Sequence, residues 1–293
     1  MTEIDLIALL RMLPLHSGAL GLADDAARLG DLVVTKDMIV EGVHFLASDP
    51  PQDVAWKLVV TNLSDLAAKG AVPEGVLLGM PIGDDAWDRG LVAGLDAVLR
   101  AFDCPLLGGD TVSGGRTFSL TAVGRADVSP TRGGARAGDT LWVTGTIGDA
   151  GAGLAIAKGA DGPADLLDRY RRPTPRLVEG RVLAPVVRAM MDVSDGLLID
   201  AARMAAASGC AVTIDLALVP LSPSYLEWSG DRMAAATAGD DYELLFALRA
   251  GTEAPVAATR IGVFASGQGL TLTDAGKAVA LPASLGFVHA SLD

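Results

Sequence analysis

The sequence predicts an α/β (α+β) protein of two domains, and three observations carry that expectation. Strand-like and helix-like segments alternate in both halves, a turn-rich stretch SPTRGGARAGD (129–139) separates the halves, and 293 residues suit two ordinary domains. The boundary falls at 137/138, giving domains 1–137 and 138–293.

Residues 2–13 read as an amphipathic helix, and DLVVTKDMIVEGVHF (31–45) as a β-branched strand running into a loop. PQDVAWKLVVTNLSDLAAKG (51–70) is helical, with Pro and Gly at its edges, and EGVLLGMPI (74–82) is strand-like. Over 84–102, Trp87, Leu91, Leu95, Val98 and Phe102 recur at helical spacing and mark a core stripe. RTFSLTAVGRA (116–126) is a strand. Beyond the break come a strand at 140–145, a helix start at 149–159, a longer helix at 173–190 and a strand at 190–194. A helix at 195–209, a strand at 211–216 and strands within 241–250 and 259–274 complete the chain.

Half of the residues are hydrophobic but only 4% are aromatic, so Ala, Val and Leu must build the core. Lys and Arg number 23 against 36 Asp and Glu, a net charge of -13. Such a surface repels nucleic acid and anionic lipid, and it repels a nucleotide unless a cation accompanies it. No stretch of about 18 apolar residues predicts a membrane span, and the N-terminus lacks the basic region of a signal peptide. The expectation is a cytoplasmic protein without nucleic-acid or membrane partners. Cys104 and Cys210 stand far apart in no metal or redox pattern and read as small reduced hydrophobes.

MMDVSDGLLID (190–200) raises the question of charge. Asp192, Asp195 and Asp200 lie among apolar residues with no Lys or Arg between them, and a buried carboxylate needs a proton or a positive partner. Asp25, Asp37, Asp65 and Asp110 share the same setting, near small polar residues or glycine and flanked by apolar ones. One such aspartate reads as a helix N-cap, and Ser64-Asp65 and Ser194-Asp195 are good capping pairs. Six of these (25, 37, 65, 110, 192 and 195) converging would repel strongly without metal. Three scattered histidines and two distant cysteines make no zinc site, and no EF-hand loop is present. Magnesium, which takes one or two carboxylates, waters and phosphate oxygens, fits best. No GxxxxGK[ST], GxGxxG or GxSxG occurs, while Glu41 and Glu243 read as solvated.

The segments TKDMIVEGVHF, WKLVVTNLSDLAAKGAVPEG, LLGGDTVSGG, TRGGARAGDTLWVTGTIGDAGAGLAIAKG, RRPTPRLVEG, MMDVSDGLLIDAARMAAASG and DDYELLFAL occur in this order. Together they closely resemble the thiamine-monophosphate kinases of the AIR-synthase-like superfamily, from about residue 18 to residue 289. The resemblance implies direct transfer of phosphate from ATP to thiamine monophosphate with several Mg²⁺ ions. It implies a two-domain fold whose N-terminal domain dimerises through its sheet, with nucleotide held between domains. It assigns Asp25, Thr35, Lys36, Asp37, Asp65, Asp110, Asp192 and Asp195 to magnesium, with Asp37, Asp65, Asp110 and Asp192 central to catalysis. Phe102, Gly109, Asp110, Arg132 and Ser194 fall on ATP positions, and His44, Asp240 and Phe287 on thiamine-phosphate positions. Four residues depart from the family pattern: Ala23 for Gly, Lys36 for Thr, Asp240 for Glu and Phe102 for Tyr. Two alternatives are a sister ATP-dependent enzyme of the superfamily and a nucleotide-binding pseudokinase. Selenophosphate synthesis would want an early reactive Cys, yet none precedes Cys104, and a pseudokinase has no need of all six aspartates.

Overall fold

The structure, a computed structural model, describes residues 1–289. Helix α1 (Glu3–Leu10) is closed by a capping box between Thr2 and Asp5, and its Leu6, Leu9 and Leu10 are exposed. A five-stranded sheet follows, built from β1 (Ala27–Leu29), β2 (Leu32–Val40), β3 (Val72–Ile82), β4 (Leu106–Ser113) and β5 (Thr117–Arg125), in the order β1-β2-β5-β3-β4. Helices α2 (Pro51–Ala68) and α3 (Asp85–Ala101) cover one face, where Val33, Ile39, Leu58, Leu63, Leu91, Val98, Phe118 and Leu120 form one core. The opposite face leaves Lys36, Met38, Leu77 and Val112 exposed.

The second half carries a seven-stranded sheet, β12-β11-β8-β10-β6-β9-β7. Its strands are β6 (Thr140–Thr144), β7 (Ala189–Asp192), β8 (Ala211–Asp215), β9 (Leu244–Leu248), β10 (Ala258–Ala265), β11 (Gly269–Asp274) and β12 (Lys277–Val279). Helices α4 (Asp149–Ala157), α5 (Ala164–Arg171), α6 (Leu177–Leu183), α7 (Leu197–Ser208), α8 (Pro223–Trp228) and α9 (Arg232–Ala238) connect them. Strand β9 is buried throughout because both of its faces are covered. Leu245 and Ala247 join the core with α7, whereas Leu244, Phe246 and Leu248 meet Ala67, Ala68 and Leu183 on the other side.

Helix α2 therefore lies between the two sheets, which is why nearly every residue from Val54 to Ala68 is buried. Its polar residues can only be there if something satisfies them. The expected helix over 173–190 is shorter, since only Leu177–Leu183 is helical. Pro185 has no N–H to continue the ladder, and the chain turns into β7 at Ala189.

Candidate active site

Period-two alternation on β2 sends Thr35 and Asp37 toward α2 and Lys36 to the opposite face. The last two turns of α2 present Asn62, Ser64 and Asp65, and Asp192 ends β7. These elements meet. The Thr35 hydroxyl donates to Asp65 Oδ2 and, at 3.2 Å, lies on the Asp25 carbonyl. Ser64 Oγ donates to Asp192 Oδ2 at 2.5 Å, and Asn62 Oδ1 accepts the Asp37 N–H at 3.0 Å. Asp65 thus lies inside a helix near its end and caps nothing, and Asp195 caps nothing either, since α7 has no side-chain cap.

Positive charge is unevenly shared. Lys69, buried at the end of α2, bonds Asp24, approaches Asp25 Oδ2 at 2.7 Å and donates to the Met190 carbonyl at 3.2 Å. Arg132 Nε reaches Asp25 Oδ1 at 3.1 Å. Burial works against the Asp25 charge, but Lys69 and Arg132 hold its carboxyl below the usual range. Arg203 pairs with Asp195 and, at 2.9 Å, with Asp200, which also accepts the Ser194 and Asp195 N–H groups at 3.1 Å each. Two of the three aspartates in MMDVSDGLLID are thus served by Arg203, one turn beyond Asp200 on α7.

Asp37, Asp65 and Asp192 have no ion pair among the described residues. Burial pushes Asp37 up to about 6, with Asp25 and Asp195 adding to the shift. Burial and then the neighbouring carboxylates carry Asp65 and Asp192 well above the carboxylate range. Among the described residues no three acidic, His or Cys groups close around a single point. The aspartates line an open site, and hard oxygen donors of this number suit a hydrated Mg²⁺ whose shell is completed by phosphate oxygens. The residues present fit the ion.

Lys69 is consequently a structural cation. Lys69→Met leaves Asp24 and Asp25 buried against one guanidinium, and breaking a buried pair from one side costs about 3–5 kcal/mol. Chemical denaturation in EDTA should register that loss, and a variant as stable as wild type would show that Asp24 and Asp25 need no ammonium.

A second group of residues gathers on the other side of Asp195. His44 Nδ1 accepts the Val40 N–H at 3.1 Å, so the neutral ring carries its proton on Nε2. Burial depresses the His44 pKa, and His289 depresses it further. The His44 and His289 rings lie 5.4 Å apart, and Phe287 meets His289 edge-on at 5.0 Å. Phe287 is exposed and is no core plug; its N–H is tied to the Asp195 carbonyl at 2.8 Å. The Asp240 N–H bonds the Ser194 carbonyl at 2.8 Å. Gly239, with φ +87°, makes that approach feasible, because a Cβ there would fall 2.8 Å from the same carbonyl oxygen. Ser194, Asp195, Asp240, Phe287 and His44 therefore lie together.

Asp110 does not join the carboxylates of its own chain. The pairing register places Asp37, Leu120, Leu78 and Gly109 in one row across the sheet, and Met38, Ser119, Gly79 and Asp110 in the next. Residues directly opposite share a face, so Asp110 points to the outer face with Met38 while Asp37 points to α2. It also stands three strands away, roughly 14 Å at the usual strand spacing. The register of β4 thus sets Asp110 apart from Asp37, Asp65 and Asp192 of its own chain. Gly109 has a structural reason to be glycine, since a Cβ would lie 1.8 Å from the Leu78 carbonyl oxygen. Phe102 also sits apart, packed edge-on against Trp56 at 5.7 Å. The Lys36 ammonium bonds Ser119 Oγ on the outer face, away from Asp65. Glu243 is not solvated: Arg176 grips it at 2.5 and 2.6 Å, and Thr144 donates to it at 2.6 Å.

Sequence reasoning passed over Lys69, Arg203, Asn62, His289 and Lys57, and took Ser64 only as a helix cap. Asn62, Ser64 and Lys69 stand inside NLSDLAAKG, Lys57 stands in the same quoted segment, and Arg203 lies at i+3 from Asp200, so those five were within reach.

Two family descriptions match the chain in tandem: AIR synthase related protein, N-terminal domain, over residues 23–126, and AIR synthase related protein, C-terminal domain, over 136–285. Thiamine-monophosphate kinase of Caulobacter vibrioides is 43% identical, the alignment covering 98% of this chain and 91% of that protein. The chain belongs to the thiamine-monophosphate kinase family. The kinase of Escherichia coli is 38% identical over 78% of this chain and 75% of its own length. Among solved structures, AaThiL complexed with AMPPCP and TMP superposes with a TM-score of 0.87 at 30% identity, covering 98% of this chain and 97% of that one. The thiamine-monophosphate kinase of Stenotrophomonas maltophilia gives 0.77 at 36% identity, over 94% and 96%. Hydrogenase maturation protein HypE, at 21% identity and 0.70, shares the fold. Membership of the thiamine-monophosphate kinases makes this chain a kinase of two AIR-synthase-type α/β domains.

Proposed function

We propose that the chain transfers the γ-phosphoryl group of ATP to thiamine monophosphate, directly and in line, giving thiamine diphosphate. One observation carries this: three aspartates, Asp65 and Asp192 buried and Asp37 half-buried, face each other with no ion pair among the described residues, in a chain whose relatives are thiamine-monophosphate kinases. Asp25, Thr35, Asp37, Asp65, Asp192 and Asp195 would hold magnesium, together with the main chain of Lys36. Strand β1 pairs with β2 only as far as Val34, which leaves the backbone edge of β2 open beside Asp25. Bound magnesium would supply positive charge to the phosphoryl oxygens of both substrates.

The remaining work falls to the protein. Arg132 exchanges Asp25 for nucleotide phosphate, where its planar fork suits a bidentate contact. His44 offers Nε2–H to the acceptor, Phe287 offers a ring face to a heterocycle, Asp240 lines the acceptor site beside them, and Ser194, whose carbonyl holds the Asp240 N–H, lies on the ATP side. The attacking atom is an oxygen of the acceptor phosphate, already anionic, so no general base is required. Catalysis here is positioning and electrostatics. Asp110, with Gly109 and Phe102, is read as serving ATP and metal across a homodimer made by the exposed outer sheet face. No helix among the described residues is long and apolar enough to cross a membrane, and the reading places the reaction in the cytoplasm. Chiral γ-thiophosphate transfer tests the mechanism: inversion supports it, and retention or a phosphoenzyme that passes label to the acceptor would refute it.

Proton and metal compete for the same oxygens, which gives a pH prediction. The Asp37 carboxyl is raised in the fold, from 3.8 to about 6. The folded state therefore binds more protons than the unfolded chain in that window, and its contribution to stability falls as pH rises through it. Magnesium binds only the ionised form. The rise in Tm on adding Mg²⁺ should be several degrees at about pH 7.5 and near zero at about pH 5. Equal shifts at both pH values would show that these carboxylates do not take up the ion.

A further inference from the structure

Lys57 is a buried cation that no step above employs. It lies on α2, with its ammonium 2.7 Å from Asp240 Oδ2 and donating to the His44 carbonyl at 3.0 Å. Its side chain is 3% exposed, and the ammonium stands 4.2 Å over the Tyr170 ring, whose hydroxyl donates to Asp49 at 3.0 Å. Asp49 in turn accepts the Leu46 N–H at 2.8 Å, closing the loop that carries His44. One ammonium thus ties together α2, the loop 41–49, helix α5 and the loop 239–242.

The loop 239–242 needs such a tie. Asp240 and Tyr242 both hold positive φ, 63° and 52°, a conformation that costs an L-residue free energy and persists only where its surroundings enforce it. Asp240 is enforced from three sides: Lys57 on Oδ2, the Tyr242 hydroxyl on Oδ1 at 2.9 Å, and the Ser194 carbonyl on its N–H. Of these, only Lys57 also reaches His44. Aspartate is the residue that the family pattern would make glutamate, and the Asp240 carboxylate is already engaged by Lys57. Its shorter side chain sits on the ammonium.

We propose that Lys57 is a positioning residue of the acceptor site, fixing His44 and Asp240 relative to each other and so setting the affinity for thiamine monophosphate. The inference rests on the reading of those two residues as acceptor-binding groups. The ammonium does not touch the reacting atoms. It acts through the two loops it joins, on one substrate and not the other.

The test is steady-state kinetics of Lys57→Met in the full chain, varying thiamine monophosphate and ATP separately. KM for thiamine monophosphate should rise about 10–100-fold, with kcat at saturation within about threefold and KM for ATP unchanged, because uniform binding of one substrate is what is lost. Asp240→Asn should raise the same KM, and the double variant should be no worse than the more affected single variant, since both changes break one interaction. An unchanged KM for thiamine monophosphate, or equal losses for both substrates, overturns the proposal while leaving the kinase reading intact. Wild-type protein that phosphorylates no thiamine monophosphate overturns both. Should Lys57→Met not fold, calorimetry of Lys57→Gln with thiamine monophosphate replaces it: affinity about tenfold lower supports the proposal, and wild-type affinity overturns it.

Discussion

Asp65→Asn is expected to lower kcat/KM by about 10³-fold or more while making the metal-free protein more stable. The two effects have one cause. Asp65 is buried against Asp37, Asp192 and Asp25, with a hydroxyl from Thr35 and no cation to offset its charge. Asparagine keeps the shape and still accepts from Thr35, yet it removes a carboxylate that repels three others. In EDTA at about pH 7.5 its Tm should rise by a few degrees, since each kcal/mol moves a domain of this size by about 2–4 °C. A residue kept only for folding would show the opposite, activity and stability falling together. That outcome would remove Asp65 from the site.

Complementation between two inactive variants tests the place of Asp110. Asp65→Asn and Asp110→Asn should each be nearly inactive as homodimers. If one site joins Asp65 of one protomer to Asp110 of its partner, a mixed dimer contains one intact site and one doubly damaged site. Random re-assortment of equal amounts makes half of the dimers mixed, so about a quarter of wild-type activity should return. If both residues serve a site within one chain, every site in every dimer is damaged and activity stays at the level of the single variants. The outward row of Asp110 predicts recovery.

Much of the candidate site was legible because each aspartate sits at a recognisable local break between apolar runs and small polar residues. The convergence of Thr35 and Asp37 on one face followed from strand alternation alone, and so did the opposite aim of Lys36. What could not be read was anything set by pairing across the sheet. GGDT looks like a loop, yet it is β4, and only its register against β3 shows that Asp110 faces outward. Likewise Glu243 looks solvated until Arg176, 67 residues earlier, is seen to grip it. The burial of α2 between two sheets was equally hidden, because a helix covered on both sides has no polar face to announce its partners. Lys57 and Lys69, ordinary surface residues by composition, are buried cations for that reason.

On the proposed function, this chain phosphorylates thiamine monophosphate at a magnesium-dependent aspartate site. Purified protein incubated with ATP, Mg²⁺ and thiamine monophosphate, followed by chromatography of the thiamine esters and of ADP, tests it most directly. Thiamine diphosphate and ADP should form in equal amounts, with no product in EDTA. ATP consumed without thiamine diphosphate, or product formed equally well in EDTA, would contradict it.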